Sequence, residues 1–213
     1  MSAARRKPAR KAAARTSAGR GAPARKPATA KTATVKAATV KSGRGKAAPS
    51  RGGGRRAWLV KSEPESYSID DLQRDEVTPW TGVRNYQARN TLRDAMAVGD
   101  PVLFYHSSTD PMAIVGLAEV ASAPRPDPTA FDRNDDHYDP DSRREEPTWF
   151  LVDLRHVETF PVPLTRELLA AEPALRGMEL LRRGSRLSVQ PVTEAELKAV
   201  LALARRAPRG GRA

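Results

Sequence analysis

The sequence contains no cysteine, and aromatic residues make up only 5% of it. Without cysteine, neither a disulfide scaffold nor a cysteine-ligated zinc site can form. No run of apolar residues approaches the roughly 18 to 20 that a membrane-spanning helix needs, and the amino terminus lacks the apolar stretch of a secretory signal. We therefore expect a soluble, intracellular protein that has no membrane partner.

Acidic residues are absent from residues 1–56, which carry 7 Lys and 10 Arg. The large apolar residues of this segment are only Met1, Val35 and Val40, so it cannot build a core and is predicted to be a disordered tail. Residues 57–204 carry 16 basic and 25 acidic side chains, and residues 205–213 form a short second basic tail. The net charge of +12 therefore comes from the tails, and the acidic body between them is predicted to fold as one domain.

The long basic tail has a period of five residues, with Arg at each step from Arg5 to Arg25 and Lys at each step from Lys26 to Lys46. Five residues turn a helix by about 500°, so these charges would not share one helical face. In an extended, proline-spaced chain they would stand about 15 Å apart, which suits successive phosphates of a nucleic acid. The composition resembles that of histone H1-like tails. A solubilising extension and a transit peptide are the alternatives.

The residue pattern of the body predicts a mixed α+β domain. Strand composition marks residues 57–62, 102–106, 113–120, 148–157 and 186–190. Helical patterns mark a short helix through Leu72, then residues 85–96, residues 165–171, and a closing helix with buried Leu197, Val200, Leu201 and Ala204. Ser68 with Asp71, and Thr193 with Glu196, have the spacing of capping boxes. We expect a small curved sheet or barrel of about five to six strands, flanked by helices.

Familiar catalytic motifs are missing. The sequence has no Gly-x-Ser-x-Gly elbow, phosphate-binding loop, dinucleotide fingerprint or cysteine nucleophile. Its three histidines have no metal-ligand spacing, and we expect structural or solvated roles for His137 and His156. The acidic loop that starts at Asp132 lacks the glycine and the glutamate of a calcium loop. We therefore expect no catalytic residue, no metal and no cofactor, and we favour a binding module over an enzyme.

Residues 80–90 concentrate two aromatic side chains, two Asn, one Gln and two Arg. Aromatic rings stack on nucleobases, amides bond the edges of the bases, and Arg meets phosphate, so this segment is equipped to bind nucleic acid. A structural role is the alternative. In that case Trp80 and Tyr86 are core residues and the amide side chains cap a helix. The predicted helix 85–96 can place Tyr86 on one side with Leu92 and Met96.

Five segments of the body resemble the EVE domain family. They are residues 58–64, 80–90, 104–107, 137–140 and 187–191, in that order along the chain. The unbroken run from Gly82 to Asn90 is the most specific of them. The resemblance implies a PUA-like fold, a β pseudo-barrel with flanking helices, related to the PUA, ASCH and YTH domains that bind RNA or modified bases. It also implies recognition of a modified base in DNA, most of all a modified cytosine such as 5-methylcytosine.

The resemblance also implies a base-binding pocket. Residues 61–63 and the pair Trp80-Thr81 look similar to the elements with which YTH domains cage a methylated base. In such a pocket Trp80 would stack on a flipped base, helped by Tyr105 or Trp149. Glu63 would accept a hydrogen bond from the exocyclic amine of cytosine.

Two sets of residues complete the expected site. The base-binding set is Lys61, Ser62, Glu63, Trp80, Thr81, Val83, Asn85, Tyr105, His106 and Trp149. The set expected to contact phosphate or to support the pocket is Arg84, Tyr86, Gln87, Arg89 and Asn90. Trp58, although aromatic, is expected to pack in the core.

Two further functions stay open. The first is an enzyme, a nuclease or a base-processing activity, that uses His106 with a nearby carboxylate. The second is a nucleoid-compacting protein in which the tail is the functional part. The expected partner is DNA in preference to RNA, and the expected location is the cytoplasm and nucleoid of a bacterium or the nucleus of a eukaryote. The sequence leaves the oligomeric state open.

Overall fold

The computed structural model describes residues 55–206, so most of both predicted basic tails lies outside the described residues. The strands are β1 (Ala57–Ser62), β2 (Val77–Pro79), β3 (Pro101–His106), β4 (Ala113–Val120), β5 (Arg125–Pro126), β6 (Phe150–Leu151), β7 (Asp153–Thr165) and β8 (Val189–Val192). The α-helices are α1 (Ile69–Asp75), α2 (Tyr86–Asn90), α3 (Arg166–Ala171) and α4 (Glu194–Arg206). A π-helical turn (Thr91–Ala95) continues α2, and short 3-10 turns lie at Pro128–Phe131, Pro173–Leu175 and Glu179–Leu181.

Six strands form one sheet in the order β2-β7-β4-β3-β1-β8, and β5 pairs with β6 in a separate ribbon. The first strand, β1, runs parallel to β3 and antiparallel to β8, and the other pairs are antiparallel. The helices pack against this sheet. The expected α+β architecture of five to six strands with flanking helices is therefore confirmed.

The two faces of the sheet carry two core clusters, because successive side chains of a strand point to opposite faces. Trp58, Val60 and Phe104 belong to the cluster that includes residues of α1 and α2. Leu59 and Tyr105 belong to the cluster that includes residues of α3 and α4. Full burial of a side chain such as Phe or Leu contributes about 1.5 to 3 kcal/mol, so both faces stabilise the sheet.

Both predicted capping boxes are present. Ser68 Oγ accepts from the backbone N–H of Asp71 at 3.1 Å, and the Asp71 carboxylate accepts from the N–H of Ser68 at 2.9 Å. The hydrogen bonds from Ser68, with those from Arg74, lower the pKa of Asp71 to about 2. At α4, Thr193 Oγ1 accepts from the N–H of Glu196 at 3.2 Å, and the Glu196 carboxylate accepts from the N–H of Thr193 at 2.8 Å. The caps fix where α1 and α4 begin.

Trp58 packs in the core, as expected. Its side chain is buried, and its indole Nε1 donates to Asp100 Oδ2 at 2.9 Å. Asp100 is buried as well and also accepts from the backbone N–H of Ala97 at 3.0 Å. The pair ties β1 to the turn before β3, and Trp58 is therefore a structural residue.

The strand predicted at residues 148–157 needs correction. It divides into β6 and β7, and β7 continues as far as Thr165. Proline normally ends a strand because it donates no ladder hydrogen bond, but Pro161 and Pro163 lie where the β4–β7 register slips, so no ladder bond is required of them. The strand predicted at 186–190 is likewise displaced, to β8.

Among residues 55–206, no helix has both the length and the apolar character needed to cross a lipid bilayer.

Candidate functional site

A cavity of about 480 Å³ opens where β1 ends beside the segment that follows β2. Four parts of the chain line it: residues 61–67 at the end of β1, residues 78–84, His137 and Ser188. This volume lies in the usual range for small-molecule sites and exceeds what one nucleobase requires. We call this space the Trp80 cavity.

The Trp80 cavity brings together about half of the residues expected in the site. These are Lys61, Ser62, Glu63, Trp80, Thr81, Val83 and Arg84. They come from two segments, and only the family resemblance predicts that these segments lie together.

The position of the Trp80 ring is fixed by the core. Its backbone N–H donates to Val152 O at 2.9 Å, which extends the antiparallel pairing of β2 with β7 by one residue. Its ring packs edge to face on Phe104, with centroids 5.6 Å apart and planes at 80°. Phe104 is fully buried, whereas Trp80 is half-buried and lines the cavity. The protein therefore presents a held aromatic ring to the cavity, in the arrangement that aromatic pairs prefer.

The end of β1 supplies hydrogen-bond acceptors. Ser62 Oγ donates its proton to Tyr67 O at 2.6 Å, so its lone pairs are left to accept. Glu63 accepts from Ser108 Oγ through one carboxylate oxygen at 2.8 Å, and the other oxygen has no side-chain partner among the described residues. These two groups can receive an amine or amide of a ligand.

Lys61 is turned toward the segment before β8. Its Nζ donates to Ser185 O at 3.1 Å. Burial lowers the pKa of Lys61, and the nearby Arg166 lowers it further against the opposing effect of Glu179. The ammonium group is thus already engaged, and it ties the cavity wall to the Ser185 segment.

A buried carboxylate organises residues 82–84. Asp127 is only 1% exposed, and its Oδ2 accepts from the backbone N–H of Gly82 at 3.0 Å and from Arg84 Nη1 at 2.8 Å. Its Oδ1 accepts from the N–H and the hydroxyl of Thr129 at 3.0 and 2.7 Å. Burial alone would raise the pKa of Asp127, but the hydrogen bonds from Arg84, Thr129 and Gly82 outweigh it and lower the pKa. The ionised carboxylate therefore clamps this part of the cavity wall.

His137 forms part of the wall because position 82 is glycine. Arg84 Nε donates to His137 O at 2.7 Å, and Asp135 Oδ1 lies 3.0 Å from the imidazole Nδ1. The ring then lies so close to Gly82 that a Cβ there would be 2.8 Å from Nε2. Gly82 also has a φ of +78°, in the left-handed region that favours glycine. Any side chain at position 82 would displace the histidine.

Sequence reasoning missed His137 as a cavity residue. It was expected to be structural or solvated, and its side chain is indeed about half exposed. The signal that could have found it was the 137–140 segment, which was among the segments that carried the family resemblance. Tyr67, Thr78 and Ser188 also line the cavity, and no motif identified them.

Two expected stacking partners lie elsewhere. Tyr105 is 2% exposed and packs in the core cluster on the opposite face of the sheet from Phe104. Trp149 is 5% exposed, and its Nε1 donates to Asp139 Oδ2 at 2.5 Å. Neither ring lines the Trp80 cavity. For Tyr105, composition alone could not show this, because the strand register decides which face a side chain takes.

Asn85 and His106 have structural partners. Asn85 Oδ1 accepts from the N–H groups of Gln87 and Ala88 at 2.9 and 3.0 Å, so Asn85 is the N-cap of α2. His106 Nε2 accepts from the N–H of Ile69 at 3.1 Å, and burial lowers the pKa of His106. A histidine nitrogen that accepts from a backbone N–H carries no proton, so the neutral ring serves the start of α1.

The remaining expected residues lie on α2, outside the cavity lining. Arg89 Nη1 donates to Thr148 O at 2.6 Å, and its Nε donates to Asn90 Oδ1 at 2.8 Å. Gln87 is exposed, and Tyr86 is 62% exposed. The structural alternative is therefore wrong for Tyr86. Its expectation that an amide caps the helix is confirmed at Asn85, and Leu92 is fully buried as the helical pattern predicted.

Within residues 55–206, no group of three or more metal-ligating side chains is placed to hold a metal ion.

The model of the EVE domain family matches residues 56–203. The chain belongs to the EVE domain family. It is similar to human thymocyte nuclear protein 1, with 42% identity over 171 residues that cover 71% of this chain and 75% of the relative. Among solved structures, a hypothetical protein from Leishmania major is 43% identical with a TM-score of 0.68, and the match covers 71% of this chain and 96% of that one.

A second similar structure contains DNA. It is the human THYN1 protein in complex with 5-methylcytosine-containing DNA. It is 39% identical to this EVE domain chain, with a TM-score of 0.66 and a match that covers 72% of this chain and 99% of that one. The match therefore spans nearly the whole of the DNA-bound relative.

Proposed function

We propose that this EVE domain protein binds DNA and holds a modified cytosine, flipped out of the duplex, in the Trp80 cavity. The observation that carries the proposal is the cavity itself, in which a held aromatic ring stands beside hydrogen-bond acceptors. The DNA-bound human relative supports the same ligand class and makes 5-methylcytosine the first base to test.

The residues of the cavity fit the chemistry of cytosine. Stacking on Trp80 contributes about 1 to 3 kcal/mol, which offsets much of the few kcal/mol that extrusion of a base costs. The free carboxylate oxygen of Glu63 accepts from the exocyclic amine, the pairing expected of a carboxylate with cytosine. Ser62 offers lone pairs, and His137 adds a second flat ring to the wall.

The state of His106 favours binding over turnover. The alternative function, a nuclease or base-processing enzyme, needs His106 as a base or an acid. The Nε2 of His106, however, already accepts from the Ile69 N–H. If the imidazole of His106 turned away to act in catalysis, the backbone N–H at the start of α1 would lose its acceptor, at a cost of about 1 to 3 kcal/mol. The proposed role is therefore that of a reader, which acts at the DNA of the nucleoid or the nucleus.

Binding of the full chain to matched oligonucleotides tests this proposal. The ligands differ in one base only, which is cytosine, 5-methylcytosine, 5-hydroxymethylcytosine, adenine or N6-methyladenine, in DNA and in RNA. Excess unmodified competitor absorbs nonspecific binding. We expect a preference of about tenfold or more, equivalent to about 1.4 kcal/mol, for one modified cytosine in DNA. Equal affinity for all ligands would contradict the proposal.

In the same proposal, residues 57–204 hold the base and the segments 1–56 and 205–213 contact phosphate. Removal of residues 1–56 is expected to flatten the salt dependence of binding, because each neutralised phosphate contributes a slope of about −0.9 in log K against log salt. The preference for the modified base is expected to remain. Dissociation constants of both chains over a salt series check this.

Two results of that truncation would overturn the division of roles. If the preference disappeared with the tail while the shortened chain still melted cooperatively, the cavity alone would not select the base. If all binding disappeared, including that to short modified oligonucleotides, the tail would be the functional part, as in a compacting protein.

A further inference from the structure

Tyr86 is the one strongly exposed aromatic side chain among residues 55–206. Its exposed fraction is 62%, whereas Trp58, Phe104, Tyr105 and Trp149 are all at least 95% buried. Tyr86 is also the first residue of α2, directly after the N-cap Asn85. A single exposed hydrophobic side chain is ordinary, so a binding role for Tyr86 depends on how its ring is held and on what lies nearby.

The Tyr86 ring is nevertheless held in place. It packs on Trp149 with ring centroids 5.0 Å apart and planes at 33°. Trp149 is itself anchored through its hydrogen bond to Asp139. The Arg89 guanidinium lies 5.2 Å from the Tyr86 ring and is fixed by Thr148 O. A held ring loses little side-chain entropy when it binds a ligand.

One face of the Tyr86 ring is not covered by these partners. If Arg89 lay on the face opposite Trp149, the separation of Arg89 and Trp149 would approach the sum of their distances to Tyr86. The observed distance from the Arg89 guanidinium to the Trp149 ring is only 5.9 Å. It is far below the sum of the 5.2 Å from Arg89 to the Tyr86 ring and the 5.0 Å between the Tyr86 and Trp149 rings. Arg89 therefore stands beside the stacked pair, and the outer face of Tyr86 remains available to a flat ligand.

Tyr86 also stands close to the Trp80 cavity. Arg84 lines that cavity, and its guanidinium lies 5.4 Å from the same Trp149 ring that supports Tyr86. Trp149 thus lies near both the exposed ring of Tyr86 and a residue of the cavity wall. A nucleic acid that placed one base in the cavity would bring its neighbouring bases toward Tyr86.

We propose that the outer face of Tyr86 enters the DNA duplex and stacks in the gap that the flipped base leaves. This inference rests on the proposed function, because the gap exists only when a base has left the stack. Proteins that insert apolar wedges between base steps show that a side chain can enter the base stack, and an aromatic ring in the gap would restore stacking that the flipped base gives up. Tyr86 would then stabilise the flipped state from outside the cavity, as Trp80 does from inside.

The experiment compares the full chain with its Tyr86→Ala, Tyr86→Phe and Trp80→Ala variants. Each is titrated with a duplex and with a short single strand, both carrying one 5-methylcytosine. We expect Tyr86→Ala to lower duplex affinity about tenfold and to leave single-strand affinity unchanged, because a single strand has no gap to fill. Tyr86→Phe, which keeps the ring, should stay within about twofold. Trp80→Ala should weaken both complexes.

The outcomes separate the two proposals. If Tyr86→Ala bound the duplex like the wild type while Trp80→Ala lost binding, the wedge would be overturned and the cavity retained. If Tyr86→Ala weakened both ligands equally, Tyr86 would be a general stacking contact, which also overturns the wedge. If no variant lost affinity, both proposals would fail. Thermal melting establishes that each variant is folded, and the exposure of Tyr86 makes a folding defect unexpected.

Discussion

Replacement of Trp80 by alanine is expected to lower affinity for a duplex carrying the modified base by about 10- to 100-fold. The variant removes the aromatic face of the cavity, and stacking of a base on such a face contributes about 1 to 3 kcal/mol. Discrimination between the modified and the unmodified duplex should fall with it. Titrations of both duplexes with the wild type and the variant measure the effect.

The matched control is Trp80→Phe. Phenylalanine keeps an aromatic ring that can stack on a base and can contact Phe104, so affinity should fall by only a few fold. Because Trp80 packs on the core through Phe104, Trp80→Ala also loses stability, and melting curves must show that it is folded at the assay temperature. A folded Trp80→Ala protein with undiminished affinity would remove Trp80 from the site.

Replacement of Asp127 by alanine is expected to lower the free energy of unfolding by about 3 to 5 kcal/mol. The carboxylate is the common acceptor for Arg84, the Gly82 N–H and Thr129 in a buried position. Without it these donors lose their partner, and the arginine charge is left uncompensated. Urea unfolding measures the change as a lower midpoint.

A surface ion pair provides the control for Asp127. Glu119 Oε1 accepts from Arg155 Nη1 at 2.8 Å, and the two side chains are 33% and 53% exposed. Exposed pairs of this kind contribute about 0 to 1 kcal/mol, so Glu119→Gln should be nearly neutral. If Asp127→Ala cost no more than Glu119→Gln, the carboxylate would not be the clamp of the cavity wall.

The pH dependence of stability supplies a second readout for Asp127. Its pKa in the folded protein lies below the ordinary value of 3.8. The stability gained from the ionised carboxylate is therefore complete above that value and is lost as the pH falls through the folded pKa. In Asp127→Asn this contribution is missing, so its unfolding free energy should decline less steeply in acid than that of the wild type.

Local patterns predicted much of the fold. Capping depends on residues three apart, so Ser68 with Asp71 and Thr193 with Glu196 could be recognised without tertiary information. The apolar composition of β1 and β4 predicted both strands, because a strand buried on both faces is rich in apolar residues. The full extent of β7 could not be predicted, since its two prolines are tolerated only by the slipped register with β4.

The site was predictable where it is local. The segment from Trp80 to Arg84 combines an aromatic residue, a glycine and an arginine, and the structure places it in the cavity wall. The position of His137 in the cavity wall depends on a hydrogen bond from Arg84, which is 53 residues away in the chain, and on the missing side chain of Gly82. Tyr105 was misplaced because its face of the sheet follows from pairing with β1 and β4.

The walls of the Trp80 cavity come from segments as distant in the chain as Lys61 and Ser188. No fragment of the domain assembles them, so the unfolded chain has no cavity in which to hold a ligand. Ligand binding and folding are therefore linked, because a ligand that binds only the native state stabilises that state. The gain in unfolding free energy is about 2.7 kcal/mol at a free ligand concentration of 100 times Kd. In the proposed division of roles the basic tails bind phosphate whether or not the domain is folded, so only the affinity that the folded domain adds raises its stability. A modified oligonucleotide is therefore expected to raise the melting temperature of the domain more than the unmodified oligonucleotide does.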